Sequence, residues 1–117
     1  YTIIIYRKEK DMPTVFLLSE SPNHNFSSAL RFGEVVPILP PNSQIAFSTG
    51  PTVRRIERAL EHFCDEDFLL LTGCPACIGI ATAVASSVNN GRYKCLKWDR
   101  REKLYIPIEI NIRKEER

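Results

Sequence analysis

Apolar and polar positions fall into blocks along this chain, and the length and period of each block assign it an element. Residues 2–6 read as a first strand, 7–13 as a polar turn and 14–18 as a second apolar run, which together fit a hairpin. The stretch 19–25 is a loop by composition. Residues 26–32 fit a short helix, with Asn25 or Ser27 as its cap and Gly33 as its stop. Residues 34–39 are strand-like, but Pro37 cannot donate to a ladder, so this strand is barred from the middle of a sheet. Pro40 and Pro41 make a further break.

The second half is more regular. Ser48, Thr49, Gly50 and Pro51 form a helix start, a polar cap followed by proline in the first turn. Val53, Ile56, Ala59, Leu60 and Phe63 then recur at helical spacing, while Arg54, Arg55, Glu57, Arg58 and Glu61 occupy the other face. Residues 68–72 are apolar without alternation, as in a parallel strand buried on both faces. Pro75 opens a second helix of small apolar residues, ended by Asn89, Asn90 and Gly91. In 92–98, Tyr93, Cys95 and Lys97 alternate with Lys94, Leu96 and Trp98. Beyond a charged turn, Leu104, Ile106, Ile108, Ile110 and Ile112 alternate with Tyr105, Pro107, Glu109 and Asn111. That pattern is a half-buried antiparallel strand, and Pro107 places it at an edge.

These elements predict the α/β class: one compact domain over 1–112 with helices packed on a mixed sheet. The sheet holds a βαβ crossover spanning 68–98 and a C-terminal antiparallel hairpin, and 113–117 form a charged flexible tail. A length of 117 residues with 44% hydrophobic content suffices for one core. No apolar run approaches the roughly 18 residues of a membrane span, and no signal peptide is visible. The expectation is therefore a cytoplasmic protein. A net charge of +2, with both signs mixed, carries no strong polyanion signature. Four cysteines without a leader read as reduced thiols rather than two disulfides.

The segment with the most chemical content is 68–81, where an apolar strand hands over through Thr72 and Gly73 to Cys74-Pro75-Ala76-Cys77 and a helix. Strand, tight turn and helix start is where open α/β folds hold ligands and reactive groups. Two thiols at a helix N-terminus suit disulfide chemistry, because unpaired N–H groups favour thiolate; the plainer reading is two small buried side chains. His62, Cys64, Cys74 and Cys77, with Cys95 as substitute, form a weak zinc set. Thr72, Gly73, Cys74 and Cys77 at one helix start, with Ser48, Thr49 and Arg54 at the other, suit a phosphate or nucleotide, with ordinary capping as the alternative. Neither matches a dinucleotide or P-loop motif, so no cofactor and no metal is expected. Trp98 with Lys94, Lys97, Arg100 and Arg101 forms a basic, aromatic hairpin suited to a base and its phosphates, or else a ring packed under a solvated turn. No Ser/His/Asp triad or carboxylate pair assembles, so a chain without a catalytic centre is expected.

The run 68–81, and above all Lys94-Cys-Leu-Lys-Trp-Asp-Arg-Arg-Glu-Lys-Leu-Tyr-Ile-Pro-Ile, resembles small proteins encoded by bacteriophages. Their pattern is an apolar strand, Gly-Asp-Pro, an Ala-rich helix and a Leu-Lys-Trp-Asp-Arg hairpin ending in Tyr-Ile-Pro. The resemblance covers roughly the last 50 residues. Cys74 stands where that pattern has Asp, which weakens the thiol and zinc readings. The resemblance brings no reaction with it. It implies a non-catalytic accessory protein that binds and modulates a host or phage protein or nucleic-acid complex. Arg54, Arg55, Arg58, Lys97, Trp98, Arg100 and Arg101 are its contact candidates. The alternatives are the nucleotide site at the two helix starts and the thiol pair. The edge strand 104–112 also allows a homodimer.

Overall fold

The computed structural model describes residues 13–21, 25–41 and 49–113. The strand expected at 2–6, His24, Ser48 and the end of the tail lie outside these residues. The described elements are β1 (Thr14–Ser19), a 3₁₀ helix (Ser27–Phe32), β2 (Glu34–Leu39), α1 (Gly50–Ala59), β3 (Phe68–Leu70), α2 (Pro75–Val88), β4 (Arg92–Asp99) and β5 (Leu104–Asn111). The strands form one sheet in the order β2-β1-β3-β4-β5. The pairs β1–β2, β1–β3 and β3–β4 are parallel, and β4–β5 is antiparallel, so the chain is an α/β domain with a mixed sheet.

Strand position follows side-chain chemistry. All six residues of β1 and all three of β3 are buried, and these two strands occupy the middle of the sheet. β1 carries β2 on one edge and β3 on the other. The two strands that contain a proline, β2 with Pro37 and β5 with Pro107, are the two sheet edges.

The sheet faces are covered unequally. On one, Phe16, Leu18 and Leu69 pack against Ile56 of α1, Leu60 just beyond it, and Cys77, Ala81 and Ala85 of α2; α1 stops at Ala59, short of the helical period that runs to Phe63. On the other, Val15, Leu17, Phe68, Leu70, Leu96 and Tyr105 pack around Ala29 of the 3₁₀ helix. The segment at 26–32 has no residue in its first turn to cap an α-helix. Instead Asn25 Oδ1 accepts from the Ser27 N–H at 2.9 Å, and the short turn that results is 3₁₀.

In β5 the alternation is present, but its most buried residue belongs to the other half of it. Tyr105 is buried, beside Trp98 on β4, while Ile108 and Ile112 are exposed. The helix-side core takes in Tyr93 and Cys95 of β4 and stops there, so the isoleucines of the outermost strand have no helix over them. β3 also ends two residues earlier than its apolar run, because Thr72 turns aside to bond Ser19.

Asp67 fixes the start of the two central strands. Its buried carboxylate accepts from the Thr14 N–H at 3.0 Å, and from the N–H and Sγ–H of Cys64 at 3.2 and 3.4 Å. A buried carboxyl group is tolerated when hydrogen-bond donors face its oxygens.

Candidate functional site

The crossovers place the switch in sheet direction between β1 and β3, the position at which open α/β sheets hold ligands at their carboxyl edge. Here that position is stitched shut. The Thr72 hydroxyl donates to the Ser19 carbonyl at 2.6 Å, and the Ser19 hydroxyl donates to the Pro40 carbonyl at 3.1 Å. Gly73 makes the turn with φ +105°, and a Cβ there would lie 3.2 Å from Ser19 Cβ. Only glycine adopts that backbone conformation freely in so narrow a space.

Cys74 is the N-cap of α2 and makes no capping bond; Cys77 lies one turn in, 2% exposed. Both are thiols in the helix-side core. Burial raises the Cys77 pKa, and its hydrogen bond with Cys74 raises it further. That opposes the thiolate expected at a helix start.

The structure sorts the remaining candidates into two surfaces. Arg54, Arg55 and Arg58 line one groove of about 550 Å³ with Pro37, Ile38, Pro51 and Ala59. Among the described residues no carboxylate lines it. Arg55 Nε donates to the Ile38 carbonyl at 3.0 Å, which fixes that guanidinium between α1 and the edge strand. Thr49 precedes the helix with no side-chain cap. Arg54 and Thr72, expected to flank one crevice, line separate cavities.

Thr72 instead shares a cavity with residues of the hairpin, Lys97 and Trp98 among them. A crevice of about 690 Å³ opens at the carboxyl ends of β3 and β4, lined by Leu70, Thr72, Cys95, Leu96, Lys97, Trp98, Tyr105 and Ile108, with Leu71 and Asn25 beside them. Trp98 is 43% exposed and meets Tyr105 at 5.0 Å between ring centres, tilted by 67°. Arg100 and Arg101 are exposed in the turn that follows. Asp99 Oδ1 holds that turn by accepting from the N–H groups of Arg101 and Glu102. Lys94 is drawn away from the crevice, its ammonium 4.2 Å from the centre of the Phe68 ring.

The crevice itself was not foreseen from the sequence. The alternation in β4 places Leu96 and Trp98 on one face, but nothing local shows that β3 ends early and leaves a gap beside them. Among the described residues, no three His, Cys, Asp or Glu side chains gather to hold a metal. His62 lies 3.5 Å from Glu61, and Cys64 bonds Asp67 and Glu66, so these two of the zinc candidates have other neighbours. Among the described residues, no helix is long and apolar enough to cross a membrane.

Compared with known proteins, residues 13–112 match the family model described as Phage Pam3 gp32-like protein. No curated protein and no solved structure matches the chain.

Proposed function

The chain belongs to the Phage Pam3 gp32-like protein family, and we propose that it serves the phage as a non-catalytic accessory protein that binds and modulates a host or phage macromolecule in the host cytoplasm. The groove of Arg54, Arg55 and Arg58 carries this reading. Arg54 and Arg58 stand four residues apart on one helix, where like charges repel by a few tenths of a kcal/mol. Among the described residues no carboxylate within ion-pair distance offsets them. A cationic groove with an apolar floor suits an acidic partner surface, because guanidinium groups fork onto carboxylates or phosphates.

The test is cross-linking capture from infected host cells with the native chain and with Arg54→Glu/Arg58→Glu. The expected result is a partner recovered by the native chain and lost with the charge-reversed one. The same set of proteins and nucleic acids recovered by both would refute the proposal.

A further inference from the structure

We infer that the crevice at the carboxyl ends of β3 and β4 is a binding site for a flat aromatic ring that carries a phosphate, the chemistry of a nucleotide unit. This inference does not depend on the arginine groove, which is a separate cavity. At about 690 Å³ the crevice lies within the ~300–1,000 Å³ range of small-ligand sites. Its walls are aliphatic, from Leu70, Leu96 and Ile108. One large aromatic stands at it half in water, since Trp98 remains 43% exposed although Tyr105 holds one side of it. An indole fixed in this way is a stacking platform, and stacking on such a ring contributes about 1–3 kcal/mol per base.

The charges select an anionic occupant. Among the described residues Lys97 is the charged one of the lining, and no carboxylate shares it. The turn that leaves Trp98 adds Arg100, Arg101 and Lys103, all exposed, against Glu102. The other carboxylate of the turn, Asp99, is engaged by backbone N–H groups. Asn25 Oδ1 is held by the Ser27 N–H, which orients the amide at the crevice and leaves its Nδ2 donors for a base edge. Lys97 and the Asn25 amide therefore place donors beside an apolar slot.

The chain has a single tryptophan, so its fluorescence reports on this crevice alone. The full chain is titrated with adenosine monophosphate, with adenosine, and with an oligothymidylate of ~8 nucleotides, within the usual single-strand site size. Emission is followed together with calorimetry. The expected result is saturable quenching by the two phosphate-bearing probes, with adenosine about tenfold weaker, a difference of ~1.4 kcal/mol. Lys97→Glu and Arg100→Glu weaken binding by a similar factor and leave acrylamide quenching of Trp98 unchanged. Tighter binding of the oligonucleotide assigns the nucleotide unit to a single strand; equal binding assigns it to a free nucleotide. Unchanged emission with every probe at millimolar concentration, while acrylamide still quenches Trp98, would overturn the inference. So would adenosine binding as tightly as its monophosphate. Partner capture by the arginine groove is unaffected in either case.

Discussion

Asp67 shows how much of this fold rests on one side chain. It is 1% exposed, and its two oxygens tie the first residue of β1 to the turn before β3. Asp67→Ala leaves buried donors without an acceptor, a loss of about 2–4 kcal/mol. A urea denaturation midpoint that does not move would contradict this. Cys74 presents the opposite situation, an N-cap whose side chain makes no cap bond. Asp accepts from the free N–H groups of a first helical turn. Cys74→Asp is therefore expected to stabilise the chain by ~0.5–1 kcal/mol, read as a rise in Tm. Gly33 is fixed by backbone approach: a Cβ there would lie 2.2 Å from the Pro13 carbonyl oxygen, whose neighbour Glu34 donates its N–H to that same oxygen. Gly33→Ala must push the start of β1 away from β2, at a cost of a few kcal/mol in the same denaturation experiment.

At the scale of elements, both sheet edges are guarded in the same way. Each edge strand holds a proline, which offers no N–H, and an arginine that bonds one of its carbonyls. Arg55 bonds Ile38 on β2, and Arg31 Nη2 bonds Tyr105 on β5 at 3.0 Å. Pro107 faces Leu96 in the β4–β5 ladder. Lacking an N–H, it belongs to the set of positions whose groups point away from β4. Tyr105, two residues earlier, shares that phase, so Arg31 occupies an outward carbonyl. Unguarded edges pair with other chains, and charge with proline is a common defence. β5 therefore leaves only its last residues for pairing with another chain, and Arg31→Ala is expected to bring concentration-dependent association. Sedimentation of the variant and native chains that stays monomeric and identical at high concentration would show that the guanidinium guards nothing.

At the scale of the molecule, burial raises the pKa values of Cys77, Cys95, Tyr93 and Tyr105 above the ordinary 9.0 for a thiol and 10.0 for a phenol. A group whose folded pKa is raised contributes its stability below the unfolded value and loses it as pH climbs through the folded one. Stability is thus expected to be flat through neutral pH and to fall above about pH 9, as each unfolded thiol and phenol ionises first. Asp65 acts on the acid side. The Asn89 amide bond at 2.7 Å, with Arg92 at 3.4 Å, lowers its pKa, so its contribution fades as pH falls through that lowered value. The pair is largely exposed and is worth at most ~1 kcal/mol after solvent screening. A denaturation series from about pH 2 to about pH 11 tests both limbs, and a stability that rises above about pH 9 would contradict the alkaline one.

The sequence by itself determined what is set by near neighbours along the chain. Helix period fixed α1 and its buried Ile56, although the helix ends at Ala59 and Leu60 and Phe63 are buried in the turn beyond it; an unbroken apolar run fixed β3 as a central strand; two prolines fixed which strands lie at the edges. Each follows from local sterics or from a missing donor, and needs no knowledge of what packs opposite. Tertiary structure alone decided the rest. The isoleucines of β5 stand largely outside the core because the helix-side packing ends at β4, and Tyr105 is buried because a 3₁₀ segment from far upstream reaches that face. Arg54 and Thr72 line different cavities, and Thr72 was set beside Trp98 because β3 stops short. Burial and site geometry are sums over contacts distant in sequence, and alternation along one strand does not say which face another element covers.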